Sequence, residues 1–172
     1  YFGKWHLDGF REVHGPAAMH RIPPERRGGF EKWCAFENNN SQFDSWVHGG
    51  EGEESFHDRL PGYETDALTD AFVRNLEEKA REKATGKEQP FFAVLSVQPP
   101  HDPYIAPEKW MRRHSPGTVT FRPNVPEIKQ IRERAARELA GYHAMIENWD
   151  WNVGRILRKL EELGLRDDTL VI

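Results

Sequence analysis

The sequence is poor in the features that mark several common protein classes. It contains one cysteine, Cys34, in 172 residues, which excludes an internal disulfide framework and a zinc site with several cysteines. No stretch approaches the roughly 18 apolar residues of a transmembrane helix. The formal net charge is only −4, so the composition gives no electrostatic reason to expect a nucleic acid or an anionic membrane as partner.

The short motifs of several enzyme classes are absent as well. The sequence has no G-x-S-x-G elbow, no glycine-rich phosphate loop with lysine, no H-E-x-x-H and no C-x-x-C. Cys34 lies beside Trp33 and Ala35, which favours a small buried hydrophobe over a nucleophile. What is present is an ordinary globular composition, 37% hydrophobic with 14 glycines, which excludes a disordered chain.

Apolar spacing and turn residues divide the sequence into alternating strands and helices. The expected segments are a strand at 1–7, a helix at 66–84, a strand at 91–97, a helix at 126–163 and a strand at 168–172. The run 91–97 lacks polar alternation, which is typical of a strand covered on both faces of a parallel sheet. This order predicts an α/β fold with a mostly parallel sheet and crossover helices.

Capping residues set the expected ends of the two helices. Thr65 is the expected cap of the first helix. Pro126 suits the first turn of the second, and Gly164 can turn left-handed at its end. Because the second helix is long for a chain of this size, we expect a bend near Gly141 or Gly154.

The segment 8–62 is rich in glycine, proline, asparagine and charge. This composition predicts a long loop-rich connection, a kind of segment that is usually functional. Its aromatic residues either stack on a sugar ring or form a small core of their own, and we expect the small core. These residues are Trp33, Phe36, Phe43 and Trp46.

Lys4 and His6 stand two residues apart in the first expected strand. On an extended segment both side chains point to one side and Trp5 points to the other. Gly3 lets another group approach the backbone closely. A cation beside an imidazole can bind an anion and carry a proton. A solvated lysine and a satisfied histidine near a chain end would explain the same residues.

His101 and Asp102 follow the expected strand 91–97 in a loop stiffened by three prolines. Open α/β sheets bind ligands at the carboxyl ends of their strands, where a histidine can act as general acid toward a leaving oxygen. A loop histidine bonded to nearby backbone is the alternative interpretation.

At these residues the sequence resembles the sulfatase family of the alkaline-phosphatase-like superfamily. The similar stretches occur in the family's order and are GKWHLDG at 3–9, IPPERR at 22–27 with Gly29-Phe30, QPFFAVLS at 89–96 with PHDPY at 100–104, YHAMI at 142–146 with 150–160, and DTLVI at 168–172. The resemblance covers nearly the whole chain. It implies part of a three-layer α/β sandwich.

The resemblance also implies a chemistry, the hydrolysis of sulfate esters by a formylglycine nucleophile with calcium or another divalent cation. By motif position, Lys4 would bind the sulfate and the formylglycine oxygen. His6 would bond the formylglycine hydroxyl and help to regenerate the aldehyde. His101 would contact the sulfate and protonate the leaving oxygen, with Asp102 as a further substrate-binding residue.

Parts of the family pattern are missing from this sequence. The C/S-x-P-S-R motif is absent, and so are the paired acidic metal ligands. We therefore expect no metal site within this chain and place the nucleophile outside it. The chain begins with Tyr1 and ends in an apolar strand pattern, so we expect an excised piece of a single domain. It would be the central portion of a sulfatase catalytic domain, with an insertion at 8–62 and alternating helices and strands at 63–172, inactive alone.

Two other functions share this resemblance. One is a phosphodiesterase or phosphonate monoester hydrolase on the same scaffold. The other is a non-catalytic relative that binds sulfated glycans. The substrate expected for a sulfatase is a small-molecule or glycan sulfate ester, and we expect a sulfated carbohydrate. The family resemblance suggests a periplasmic or extracellular location. The sequence leaves the oligomeric state open.

Overall fold

The computed structural model describes residues 1–10, 16–87 and 89–172. Five short strands form one sheet in the order β4-β3-β2-β1-β5. The strands are β1 (Phe2–Lys4), β2 (Cys34–Phe36), β3 (Trp46–Gly49), β4 (Phe56–Arg59) and β5 (Leu95–Ser96). Strand β1 pairs in parallel with β2 and β5, whereas the pairs β2–β3 and β3–β4 are antiparallel. The fold is therefore α/β, as predicted, with a parallel centre and an antiparallel flank.

The described residues contain three α-helices, and none of them is both long and apolar enough to cross a membrane. They are α1 (Glu64–Ala84), α2 (Glu108–Met111) and α3 (Lys129–Glu162). The chain divides into two compact units, one of Tyr1–Gln98 with Asn152–Ile172 and one of Pro99–Trp151.

The first unit has apolar clusters on both faces of the sheet. On one face α1 packs through Phe72, whose ring meets that of Phe2 edge-on at 5.5 Å between centroids. The members of this cluster are Phe2, Phe72, Leu76, Leu160 and Leu165. The other face carries Ile22, Trp33 and Ala35. Of the aromatic residues in 8–62, Trp33 and Phe36 are buried in the core, which is the role expected for them.

Gly3 explains how β1 and β5 come together. Its φ is +102°, and a Cβ placed there would lie 2.0 Å from the carbonyl oxygen of Ser96. The close backbone approach expected at Gly3 is therefore confirmed, and the approaching group is the backbone of β5. Cys34 lies in β2 as a free, partly buried thiol. Burial raises its pKa to about 11, so it is a poor nucleophile near neutral pH.

The predicted strand at 91–97 is wrong in length, because only Leu95–Ser96 pairs. Its single partner in the described sheet is the three-residue β1, and a strand cannot pair beyond its partner. Neither is it covered on both faces, since Phe92 is 80% exposed. The predicted strand at 168–172 is also wrong. A 3-10 turn occupies Arg166–Asp168, and the residues after it form no strand pairing.

The helix ends follow the sequence only in part. Gly164 has φ +63°, and the amides of Gly164 and Leu165 bond the carbonyls of Glu161 and Leu160. This is the expected left-handed stop. Thr65, however, does not cap α1. The helix begins one residue earlier, and the Glu64 amide donates to the Gln42 carbonyl at 2.9 Å. Pro126 precedes α3 by three residues.

Candidate active site

The parallel strands bring three chain segments to one edge of the first unit. Strands β1, β2 and β5 run in the same direction, so their carboxyl ends share an edge. Lys4 ends β1, Glu37 follows β2 and Gln98 lies two residues after β5. This is the edge at which α/β proteins bind ligands. Glu64 lies in the first turn of α1 and interacts electrostatically with Lys4.

Lys4 is half-buried at this edge. Burial lowers the pKa of its ammonium, and the carboxylates of Glu64 and Glu37 oppose that shift. Within the part of the chain that the structure describes, no carboxylate oxygen lies within 4.0 Å of Lys4 Nζ. The ammonium is thus held in an acidic environment without being locked into an ion pair, and it remains able to receive an anion.

Glu64 is a fully buried carboxyl group, with 0% exposure. Its Oε2 accepts a hydrogen bond from the Ser45 hydroxyl at 2.5 Å. Its Oε1 has no hydrogen-bond partner among the described residues. Burial raises the pKa of Glu64 to about 6, while Ser45, Gln98, Asn39 and Lys4 favour its charged form. Burial therefore moves the pKa of Glu64 toward neutral, and its charged form is stabilised in part by the charge of Lys4.

Glu37 and Asp8 anchor the segment that follows β1. Glu37 is 1% exposed, and the Asp8 amide donates to both its oxygens at 3.1 and 3.2 Å. The Asp8 side chain is 2% exposed. It accepts from Arg26 Nη1 at 3.0 Å and lies 2.5 Å from His20 Nε2. The chain from Lys4 to Asp8, which includes His6, is therefore fixed at both ends.

His6 departs from the extended geometry expected for it. Strand β1 ends at Lys4, and His6 has φ +54°, a left-handed conformation in which histidine is enriched. The alternation of side chains along a strand, which predicted Lys4 and His6 on one side, therefore does not extend to His6. Its side chain is exposed. Trp5, by contrast, packs into an apolar cluster, with its ring 5.0 Å from those of Tyr1 and Trp33.

His101 and Asp102 belong to the second unit. His101 Nδ1 lies 2.7 Å from the Asp102 carbonyl oxygen and 3.0 Å from Asp102 Oδ1. The side chains are half-exposed or more, at 50% and 68%. This contact between His101 and the Asp102 backbone matches the alternative interpretation, in which His101 is a loop histidine bonded to nearby backbone. It also orients the imidazole, with Nδ1 held toward Asp102.

A cavity of about 460 Å³ adjoins this loop within the second unit. It is lined by Asp102, Pro103, Tyr104, Arg134, Arg137 and Glu138. Arg134 Nε pairs with Glu138 Oε1 at 2.7 Å. The histidine loop of the second unit therefore borders a concave surface that is lined by both acidic and basic side chains.

Sequence reasoning missed Glu37, Glu64 and Asp8. Glu37 follows a strand end, as His101 was expected to do, but β2 is only three residues long and gives no clear periodic signal. Glu64 and Asp8 are acidic residues in polar surroundings, which usually indicate a solvated surface. Only the structure shows that they are buried.

The described residues do not fit a metal ion. Among them, no group of three or more His, Cys, Asp or Glu side chains is placed to hold one. Glu37 and Glu64 are buried, and both interact electrostatically with the Lys4 ammonium, which supplies positive charge there.

Comparison with known proteins shows consistent similarity to sulfatases. The chain is 32% identical over its full length to an ulvan-active sulfatase of Formosa agariphila, of which it spans 31%. It is 28% identical over 99% of its length to an arylsulfatase of Klebsiella aerogenes, spanning 42% of that protein. An endo-4-O-sulfatase of Bacteroides thetaiotaomicron is 26% identical over the whole chain, which spans 36% of it. The chain thus covers between about a third and two fifths of these relatives.

Solved structures and the family profile agree. The crystal structure of the sulfatase candidate yidJ from Bacteroides fragilis superposes with a TM-score of 0.78 at 23% identity, over 97% of this chain and 38% of that one. This match shows that the α/β fold is that of the alkaline-phosphatase-like sandwich. The sequence profile of the Sulfatase family matches residues 1–172. The chain therefore belongs to the sulfatase family.

Proposed function

We propose that the protein containing this chain hydrolyses sulfate esters. Membership of the sulfatase family over residues 1–172 supports the reaction class. The observation that carries the proposal is Lys4, a half-buried ammonium without a close carboxylate partner at the carboxyl edge of the parallel strands. A fixed positive charge at such an edge stabilises the negative charge that develops on a transferring sulfuryl group.

The proposed roles of the individual residues follow the resemblance to the sulfatase family. Lys4 binds the sulfate. His6, beside it in the segment anchored by Asp8 and Glu37, bonds the hydroxyl of the nucleophile and carries its proton. His101 contacts the sulfate and protonates the leaving oxygen, and Asp102 holds Nδ1 of that imidazole. Imidazoles suit these steps because they exchange protons near neutral pH.

The nucleophile and the metal are proposed to lie outside this chain. The family's C/S-x-P-S-R motif, from which formylglycine is made, does not occur in the 172 residues. When bound, a calcium ion would supply positive charge to the sulfate and the nucleophile. It follows that the 172-residue chain alone should show no turnover. We further infer, from the family resemblance alone, that the protein is exported from the cytoplasm.

A sulfated carbohydrate is the proposed substrate class. Support comes from the similarity to the ulvan-active sulfatase and the endo-4-O-sulfatase. A second superposed structure, at TM-score 0.66 and 21% identity over 84% of this chain and 29% of that one, comes from work on the metabolism of multiple glycosaminoglycans. A nitrophenyl ester of sulfate is a sufficient first probe, because its coloured nitrophenolate leaving group reports turnover directly.

The test compares an aryl sulfate with a matching aryl phosphodiester and aryl phosphonate monoester in the complete protein. We expect sulfate hydrolysis, and we expect Lys4→Ala to lower kcat/KM by about 10²-fold or more. The matched control is Lys129→Ala, at a lysine whose side chain is 85% exposed, and it should retain full activity. Peptide mapping by mass spectrometry should find an aldehyde in a C/S-x-P-S-R peptide outside the 172 residues.

Other outcomes would select the other functions. Preferential hydrolysis of the phosphodiester or the phosphonate monoester, with no aldehyde in the protein, would indicate a phosphodiesterase or phosphonate monoester hydrolase. Sulfate-dependent stabilisation without turnover would indicate a binding protein, since any ligand of the native state raises the melting temperature. Either result would contradict the proposed sulfatase activity.

A further inference from the structure

The cavity of the second unit has the size of a small-molecule pocket. Its volume is about 460 Å³, within the range of pockets that bind small ligands. One wall is the loop of Asp102, Pro103 and Tyr104, and the other wall is one face of α3. The backbone of Tyr104 rests against the helix at Gly141. The two walls are therefore fixed to each other by a direct backbone contact.

Three of the four charged side chains that line this cavity already have partners. Arg134 Nε pairs with Glu138 Oε1 at 2.7 Å, and Asp102 Oδ1 lies 3.0 Å from His101 Nδ1. The fourth is Arg137, which is exposed. Its side chain has no hydrogen bond or ion pair with any residue that the structure describes. The guanidinium of Arg137 is therefore available to a ligand in the cavity.

The chemistry of the lining indicates what that ligand is. A guanidinium presents its N–H donors as a planar fork, which matches the oxygens of a carboxylate or a sulfate. Pro103 and Tyr104 add an apolar and an aromatic surface beside Arg137, and the Tyr104 ring meets that of Tyr142 edge-on at 6.0 Å. A few polar groups next to such surfaces are typical of small-molecule sites. This lining suits an acidic group carried on a larger organic molecule.

Asp102 connects this cavity to the proposed chemistry. It lines the cavity, and its carboxylate contacts the imidazole of His101. In the proposed function His101 contacts the sulfate that is cleaved. A substrate bound at His101 can therefore extend its neighbouring atoms directly into the cavity.

We propose that this cavity is a substrate subsite, in which Arg137 binds a second acidic group of a sulfated carbohydrate. That group is a carboxylate or another sulfate, in addition to the ester that is cleaved. The inference rests on the proposed function and makes it narrower, because it names acidic sugars as the preferred substrates. Arg137 is then a residue that determines specificity.

The first measurement is sugar binding to the complete protein, followed by ligand-observed NMR. The probes are glucuronate, glucose 6-sulfate and glucose, which differ at one carbon that carries a carboxylate, a sulfate ester or a hydroxyl. We expect an acidic probe to bind roughly tenfold or more tightly than glucose, as charged hydrogen bonds to Arg137 require. Tighter binding of glucuronate would assign the subsite to a carboxylate, and tighter binding of glucose 6-sulfate to a second sulfate.

Variants show whether Arg137 causes the preference. Arg137→Ala should reduce the advantage of the acidic probe to less than about threefold, and Arg137→Lys, which keeps the charge without the fork, should retain part of it. The matched control is Arg112→Ala, at an arginine of the same unit that is 75% exposed and lies outside the cavity lining. It should bind the probes as the wild type does. A wild type without the preference, or an Arg137→Ala protein that keeps it in full, would overturn the inference.

The second measurement separates this inference from the proposed function. Its substrates are nitrophenyl sulfate, a sulfated disaccharide that contains a uronate, and the same disaccharide with its carboxylate reduced to an alcohol. Arg137→Ala should raise KM for the uronate substrate about tenfold more than for the other two, with little change in kcat. If no sulfate ester is hydrolysed but glucuronate binding depends on Arg137, the proposed function fails and the subsite stands. If hydrolysis occurs and Arg137→Ala affects all substrates and probes equally, the function stands and the subsite fails.

Discussion

The carbonyl oxygen of Tyr104 lies 2.1 Å from the position that a Cβ on Gly141 would occupy. Gly141 is inside α3, and Tyr104 ends the PHDPY run that contains His101. The absent side chain lets the loop backbone rest directly against the helix. The helix thus sets the position of the histidine loop within the second unit, where the adjoining cavity is found.

Gly141→Ala should therefore displace the loop, because a backbone atom cannot move aside as a flexible side chain can. We expect the melting temperature to fall and, in the complete protein, kcat with an aryl sulfate to fall by tenfold or more. Gly154→Ala is the control in the same helix, where the nearest atom is the mobile Arg158 Nη1 at 3.4 Å. It should stabilise the protein by about 0.5–1 kcal/mol. Equal effects of the two substitutions would contradict this account.

Gly3→Ala should disrupt the pairing of β1 with β5. The new Cβ would lie 2.0 Å from the Ser96 oxygen, and the backbone has φ +102°, so a clash and conformational strain add. We expect a loss of several kcal/mol, seen as a large fall in melting temperature or in soluble yield. Gly29→Ala, with φ +80° and no atom within 4 Å, should show the strain alone, about 1–2 kcal/mol. A Gly3→Ala protein as stable as Gly29→Ala would refute the predicted clash.

His48 should make the protein sensitive to acid. The residue is 0% exposed in β3, and its Nε2 accepts the Ile22 amide proton at 3.0 Å. Burial, with Arg27 and Arg21 nearby, lowers its pKa from 6.5 to about 3. Between pH 6.5 and about 3, the imidazole of His48 is therefore protonated in the unfolded chain and neutral in the folded chain. This contribution to stability is complete above pH 6.5 and is lost as the pH falls toward 3.

Urea unfolding between pH 7.5 and 4 measures this effect. Each pH unit below 6.5 should cost the wild type up to about 1.4 kcal/mol through His48. His48→Gln, whose amide oxygen can accept the Ile22 proton, should lose less stability over the same interval. His143→Gln, at an exposed histidine, should follow the wild type. A wild type and a His48→Gln variant with the same pH dependence would exclude His48 as the source.

Asp8 should contribute more to stability than an ordinary surface acid. Burial opposes its charged form, but hydrogen bonds from His20 and Arg26 outweigh that effect and lower its pKa. Asp8→Ala leaves both partners without their acceptor, and we expect a loss of about 2 kcal/mol in the free energy of unfolding. The control is Asp44→Ala, which removes an ion pair to Arg59 in which each side chain is 59% exposed. That change should stay within about 0.5 kcal/mol, and equal losses would show that Asp8 is no anchor.

Local sequence patterns predicted the class of fold because they act over a few residues. The helical spacing in 66–84 and 126–163 and the left-handed stop at Gly164 were both correct within a few residues. The strands were harder to predict. The apolar run 91–97 has the composition of a full strand, yet only Leu95–Ser96 pairs, with two residues of β1. Which residues pair depends on the neighbouring strand, which no local pattern reveals.

The sequence by itself determined the α/β class, the two long helices, the close approach at Gly3 and the positions of Lys4, His6 and His101 in recognisable runs. The tertiary structure decided that Glu64 and Glu37 are buried, that Asp8 is held by His20 and Arg26, and that His6 leaves the strand. The physical reason is that periodicity and capping depend on neighbours along the chain. Burial of a charge, and with it the pKa, depends on which distant segments the fold brings together.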